Sequence, residues 1–435
     1  MNQKISRRHF IKTSALAGAS LAAVNIAMPA YCLDKAPSEK LNIALIGPGG
    51  QGGFSLGNIL GENVVALCDV DARTLDGVSQ RVPGAQTFTD FRRMYETVKD
   101  LDAVCVCTPD HTHAPASVMG MRMGIHCYCE KPLTHDVRES RVMQQVAAEK
   151  KLVTQMGTQI HSLDNYRRVV ELVQSGAVGE IREAHVWCGK GWGMPVEKRR
   201  PEETPEVPEN LNWDAWVGPA KMRPYHPEYL PGNWRKWWDF GNGTLGDMGC
   251  HYMDLAFWAL NLKDCLTAEA SGPEVNPECA PLDLSATWTF GQRGDLPPCT
   301  LTWCDGDYRV PIVKEMNLPG AGVLFIGSKG VLFGDYGGLQ LFPEEKYAGF
   351  EHPAAWIPSS PGHHAEWIQG IKENKPELAL CRFEYSGRLT ETVLLGSLAY
   401  RMGAKLDWDA EKMEVTNHAE ANAMIRPEYR EGWVL

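Results

Sequence analysis

From residue 41 onward the chain alternates short, wholly apolar runs with longer segments whose apolar residues recur at helical spacing. The runs at 41–46, 64–69, 102–107, 125–129 and 152–156 predict strands. The segments at 71–80, 90–98, 114–123 and 136–151 predict helices, with Asp90 placed to cap the second. Strands that lack polar alternation are buried on both faces, which indicates a parallel sheet with helices on either side. Near residue 160 the pattern changes. One amphipathic helix at 163–174 is stopped by Gly176. Strand patterns then follow at 181–187, 266–270, 284–290, 300–303, 322–326 and 331–333, with few helices between them. That spacing predicts antiparallel pairing. Helices return at 363–372 and 387–402. A loop dense in proline and tryptophan separates residues 190 and 242, and loops of that length are usually functional, as a lid or a pocket wall. The expected fold is α/β: a doubly covered parallel sheet at 41–160, then an α+β domain at 161–435 with a large, mostly antiparallel open sheet. The second domain has helices enough to cover only part of one face of its sheet. An uncovered apolar face implies a homodimer or homotetramer.

Composition changes this picture only at the N-terminus. The chain has 435 residues, 54 acidic and 43 basic, for a net charge of −11. An acidic surface argues against non-specific nucleic-acid binding. Ser6-Arg7-Arg8-His9-Phe10-Ile11-Lys12 precedes a small-residue, mildly apolar stretch at 15–30. Twin arginines followed by apolar residues and a lysine make a bacterial twin-arginine export signal. Residues 1–30 are therefore expected to be that signal and 31–40 a linker, with the export machinery as a partner and the periplasm as the destination. The 13 cysteines fall largely inside apolar runs. Cys105, Cys107, Cys127 and Cys129 form Cys-x-Cys pairs, but residues two apart on a strand share one face, and buried cysteine behaves as a small hydrophobe. Export of an already folded chain implies no disulfide framework.

Gly47-Pro48-Gly49-Gly50-Gln51-Gly52 fits G-x-G-x-x-G and stands between an expected strand and an expected helix, the context that a Rossmann dinucleotide site requires. Gly47 permits the tight turn, Gly49 and Gly50 let backbone approach the pyrophosphate, and Gly52 lets helix pack on strand. Asp69 ends the next strand. A carboxylate there accepts hydrogen bonds from ribose hydroxyls and repels a 2′-phosphate, which favours NAD. Arg73 is close enough in sequence to leave NADP possible.

Three further strings bear on chemistry. Thr108-Pro109-Asp110-His111-Thr112-His113 and Glu130-Lys131-Pro132 each follow a strand, at the carboxyl edge where parallel sheets bind ligands. In Gly246-Asp247-Met248-Gly249-Cys250-His251-Tyr252-Met253-Asp254, Asp247 and His251 are four apart and share a helix face. Together these strings resemble the Gfo/Idh/MocA family, the relatives of glucose–fructose oxidoreductase and inositol dehydrogenase, over essentially the whole chain after the signal. The resemblance implies that Lys131 is the active-site lysine beside the nicotinamide and that Asp247 and His251 belong to the catalytic helix. It implies that Pro109, His113 and Glu130 line the nicotinamide ribose. It also places His161 where relatives contact substrate. Relatives that cleave glycosides with bound NAD replace Glu-Lys-Pro, so its retention favours a dehydrogenase.

Alcohol oxidation needs a base for the hydroxyl proton, which a histidine suits, and a cation to stabilise alkoxide charge, which Lys131 suits. His363-His364-x-Glu366 lacks the spacing of a helical zinc pair, so no metal is expected. Trp234 and Arg235 stand just before the catalytic helix, either as core or as an aromatic platform for a sugar. The expected function is an exported oxidoreductase moving hydride between a sugar or polyol and tightly bound NAD. The alternative is glycoside cleavage by transient oxidation and elimination.

Overall fold

The protein is described here as a computed structural model that covers residues 39–435. The expected export signal and nearly all of the expected linker lie outside the described residues.

Six strands form the first sheet: β1 Asn42–Ile46, β2 Asn63–Cys68, β3 Gln86–Phe88, β4 Ala103–Val106, β5 His126–Cys129 and β6 Thr154–Met156. Their order is β3-β2-β1-β4-β5-β6 and every pairing is parallel. This is the doubly wound arrangement whose order reverses between β1 and β4, and ligands bind at that reversal. The apolar runs form strands because both of their faces are covered; β4 is buried at all four positions. The helices start where a carboxylate satisfies free backbone N–H groups. Asp71 accepts from Arg73 N, Asp90 from Arg92 N, and Asp136 with Glu139 forms a capping box. The edge strand β3 is polar and exposed, so no apolar run announces it.

The second sheet has nine strands: β7 Ile181–Cys188, β8 Thr267–Ser271, β9 Ser285–Phe290, β10 Cys299–Asp305, β11 Ala321–Gly327, β12 Val331–Gly334, β13 Leu339–Phe342, β14 Leu406–Asp409 and β15 Glu414–Val415. Their order is β13-β12-β11-β7-β10-β9-β8-β14-β15. Pairing is antiparallel except for β7 with β10. The α/β fold with a mostly antiparallel second sheet is as expected. One face carries helices, among them Gly243–Ala259 and Phe383–Met402. The other face differs from expectation. Near β7, β11 and β12 it is covered by an apolar cluster of Trp187, Val313, Leu324 and Phe333. Farther along, Thr267, Thr287, Thr289, Thr300 and Thr302 stand on the same face, with Glu183 and Glu269 exposed beside them. The threonine hydroxyls pair across strands, Thr267 with Thr289 at 2.7 Å. Among the described residues the uncovered part of this face is polar rather than apolar.

The two sheets share helix contacts. Arg141 on the helix Val137–Lys150 makes two bonds to Glu391 on Phe383–Met402, at 3.0 and 2.9 Å. A Cβ at Gly387 would lie 2.5 Å from Gln144 Nε2. Gly387 therefore sits inside the helix as a close-approach residue, four positions after the true start. The 190–242 loop is fastened to the carboxyl edge of the first sheet. Ala72 N donates to Asn210 O and Asn212 N to Val70 O, at 2.9 and 2.8 Å. The C-terminal tail fixes this strap in turn: Arg430 pairs with Asp214 at 2.6 Å, and Trp433 packs on Phe91 and Arg92. Among the described residues, twelve cysteines are free thiols and all but Cys107 are buried.

Candidate active site

The dinucleotide cradle forms where β1 ends. Gly47 has φ +77°, and a Cβ there would lie 2.7 Å from the Cys107 carbonyl oxygen. At Gly52 a Cβ would lie 1.8 Å from the Gly47 carbonyl oxygen, so no side chain fits between turn and helix. Gly49 faces Thr74 and the Asp69 carboxylate, and Gly50 opens the helix Gln51–Ile59. Asp69 Oδ1 accepts from Asp71 N at 2.9 Å. Burial raises its carboxyl to about 6, so it is mostly ionised at neutral pH. Arg73 turns away, its guanidinium held by both Asp71 oxygens at 3.2 and 3.0 Å. The cradle thus fits a dinucleotide whose ribose meets a carboxylate rather than an arginine. Replacing Asp69 with Ala should raise affinity for NADP relative to NAD, read by titrating each nucleotide into stripped protein. An unchanged ratio would assign the preference to other groups.

Glu130 lies behind the first helix turn. Its Oε1 accepts from Gln159 Nε2 at 2.9 Å, with Gln51 Nε2 and Ser55 Oγ each at 3.5 Å. Its Oε2 is buried without a partner among the described residues. Burial raises the carboxyl to about 7 against the opposing Lys131 cation. Oε2 lies against Gly157, where a Cβ would stand 2.5 Å from it, so the carboxylate meets the first helix turn through Oε1, beside Gln51. Pro109 begins the turn after β4. His113 bridges the two loops that carry these groups, with Nδ1 at 2.8 Å from Pro132 O and Nε2 at 2.8 Å from Thr108 O. Burial lowers its pKa to about 4, so the ring is neutral and donates to one carbonyl.

Lys131 Nζ donates to Asp247 Oδ1 at 2.7 Å and to Asp247 O at 2.9 Å. Arg235 Nε donates to the same Oδ1 at 2.8 Å. Burial would raise the Asp247 carboxyl, but the two cations overcome it and hold it well below the usual carboxylate range. One turn farther along the helix, burial and then the Lys131 cation lower His251 to about 3. The ring is neutral at physiological pH, and its Nδ1 is buried without a partner among the described residues. Asp110 is also buried near this group, raised to about 7 by burial, with Arg235 opposing and Asp247 adding to the rise. A fixed ammonium, its carboxylate clamp and a neutral imidazole with a free nitrogen can stabilise an alkoxide and accept a proton.

The structure brings Lys131, Asp247, Arg235 and His251 together. It places two other expected residues differently. His161 is 1% exposed, with Nδ1 on both Asp254 oxygens at 3.0 and 2.9 Å and its ring stacked on Trp258 at 4.0 Å. Asp254 also accepts from the Tyr385 hydroxyl at 2.7 Å. Trp234 is 5% exposed, and the Arg235 guanidinium lies 4.2 Å over its ring. With Trp213, Trp216, Trp237 and Phe240 it builds a separate core inside the 190–242 loop. These rings are packed against each other, so they form no open platform. His364 stacks on Tyr128 at 4.2 Å and His363 contacts Met156 O, both within the core. Sequence reasoning missed Gln159, which donates to Glu130 two positions before His161, and Tyr336, which packs on the helix that carries Asp247 and His251.

Residues 41–158 match an oxidoreductase family's NAD-binding Rossmann fold, and residues 164–435 match its C-terminal alpha/beta domain. The first domain is therefore NAD-binding. Inositol 2-dehydrogenase of Rubrobacter xylanophilus is 33% identical over 148 residues, covering 33% of this chain and 42% of that protein. A glycosyl hydrolase family 109 protein of Shewanella baltica is 29% identical over 207 residues, covering 41% of this chain and 44% of its own length. The match thus spans less than half the length of these relatives. The WlbA dehydrogenase from Bordetella pertussis, solved with NADH and UDP-GlcNAcA, shares the fold with a TM-score of 0.58 at 18% identity, over 85% of this chain and 99% of that one. An inositol dehydrogenase homolog from Azotobacter vinelandii, solved with NADH and myo-inositol, superposes with a TM-score of 0.57 at 17% identity, over 85% and 98%. With both family domains present in order and a cradle shaped for the dinucleotide, the chain belongs to the Gfo/Idh/MocA oxidoreductase family.

Proposed function

We propose that this protein is an exported dehydrogenase that moves hydride between a hydroxyl-bearing carbon of a sugar or polyol and NAD that stays bound through turnover. The observation that carries the reading is the Lys131–Asp247–Arg235 cluster one helical turn from neutral His251. Bound NAD would supply the hydride acceptor. The chain supplies the rest. Asp247 fixes the Lys131 ammonium, which lowers the acidity barrier of the substrate hydroxyl by stabilising its alkoxide. His251 takes the proton. Glu130 and Asp69 orient the two riboses.

Retention of the cofactor follows from export, because a soluble nicotinamide pool is not maintained outside the cytoplasm. The 208–212 strap on Val70–Ala72 lies beside Asp69 and supports slow release. A dissociation constant well below micromolar requires about −10 kcal/mol. The dinucleotide should then survive gel filtration, and turnover should be redox-neutral or ping-pong, independent of added NAD. Empty purified protein whose activity scales with free NAD would overturn both retention and the export reading of Arg7-Arg8.

The glycosyl hydrolase family 109 relative, which aligns over more of the chain than the inositol dehydrogenase, favours a second reading. In that reading His251 would remove the hydroxyl proton of a sugar carbon that is oxidised only transiently, elimination would break the glycosidic bond, and bound NAD would supply the hydride acceptor that returns the hydride afterwards. Aryl glycosides separate the two: release of the aryl alcohol without net NADH supports cleavage.

A further inference from the structure

Beyond His251 the helix Gly243–Ala259 borders a broad hollow of about 550 Å³, open to solvent, that no part of the reaction above uses. Tyr252, Pro319, Ala321, Asp335, Tyr336 and Gly337 line it. Tyr252 is the next residue after His251. The Tyr336 ring stacks on Tyr252 with centroids 4.6 Å apart and planes 15° apart, and lies 6.5 Å from the His251 ring. Tyr166 meets Tyr336 edge-on at 6.0 Å and donates its hydroxyl to His251 O at 3.2 Å. One aromatic group therefore fixes the catalytic helix and borders the cavity.

The turn between β12 and β13 that presents Tyr336 is firmly built. Gly337 N and Gly338 N both donate to Asp335 Oδ1, at 2.9 and 2.6 Å. Asn165 Nδ2 donates to Asp335 O and Gly338 O from the neighbouring helix, at 2.8 and 2.9 Å. Asp335 Oδ2 receives no hydrogen bond from the described residues and remains an acceptor at the cavity wall. Tyrosine rings pack against the C–H faces of sugars, and a carboxylate oxygen accepts from hydroxyls. The hollow is open to solvent, so a second ring can rest on it without being enclosed, beside the one that reacts at His251.

We propose that the Tyr252–Tyr336–Asp335 cavity is a second sugar subsite, and that the substrate is a glycoside of at least two units. One ring is oxidised at Lys131 and His251, and the adjoining unit rests on Tyr336 with its hydroxyls toward Asp335. The proposal rests on the sugar reading above, and its test separates the two. Glucose, galactose and N-acetylglucosamine are compared with their 1,4-linked disaccharides, both in single-turnover reduction of bound dinucleotide and in calorimetric titration of the holoenzyme. At least one disaccharide should bind tenfold or more tightly than its monosaccharide. Tyr336→Ala should reduce that ratio at least tenfold, Tyr336→Phe should retain it, and Asp335→Asn, which keeps the turn's acceptor oxygen, should weaken it. A ratio near one in the wild type, or a ratio unaltered in both Tyr336→Ala and Asp335→Asn, overturns the subsite. Tight disaccharide binding with no reduction of the dinucleotide would uphold the subsite and overturn the dehydrogenase reading instead.

Discussion

His251→Ala and Lys131→Ala should each lower turnover by about 10²–10⁴-fold while leaving the dinucleotide bound. Neither side chain contributes to the glycine turn or to the Asp69 contact, so cofactor content should match the wild type. The pH dependence adds a second readout. Burial and Lys131 hold His251 near 3, so it stays in its proton-accepting form far below the ordinary histidine value of about 6.5. No acid limb is expected at 6.5. Asp110 and Glu130, both raised by burial to about 7, are the groups that ionise near neutrality. Both carboxyls act on Lys131, and their ionisation offsets part of the ammonium charge that stabilises the alkoxide, so alcohol oxidation should fall as the pH rises through 7. Stopped-flow absorbance at 340 nm measures both effects. Near-wild-type rates in the two alanine variants would remove them from the chemistry.

Asp247→Ala should be inactive and also markedly less stable. Its carboxylate is the shared partner of two cations, and its side chain is 7% exposed. Removing one member of a buried ion pair costs about 3–5 kcal/mol, because the remaining charge is left without compensation. Here Lys131, 11% exposed, loses the more, and Arg235 retains its stacking on Trp234. Urea unfolding of the cofactor-loaded protein should show a lower midpoint for Asp247→Ala, and a smaller loss for Asp247→Asn, which keeps an acceptor. Equal midpoints for wild type and Asp247→Ala would mean that water replaces the carboxylate at no cost.

These residues show what local sequence can specify. The first sheet was legible because each central strand is apolar throughout, and the glycine turn sits between strand and helix. The polar edge strand β3 gave no such signal. The parallel β7–β10 pairing joins segments over a hundred residues apart, and nothing local records it. Lys131, Asp247 and His251 could be named from two short strings. That Arg235 shares the Asp247 oxygen could not, because the contact depends on how the 190–242 loop folds. His161 stands at the right strand end, yet its pairing with Asp254 draws it inward. Tyr336 was overlooked because Asp-Tyr-Gly-Gly reads as a turn, and only the fold sets that turn against the catalytic helix.

The twelve free thiols among the described residues set how the protein ages. While the chain stays folded, eleven of them are out of reach of any oxidant. Each unfolding event in an oxidising medium exposes them together, and random pairing among so many sulfurs would block the return. In such a medium survival is governed by how rarely the chain opens rather than by its equilibrium stability. The tail that clasps the strap and the paired helices that join the two sheets act on that rate, so the half-life of the molecule is decided at its seams.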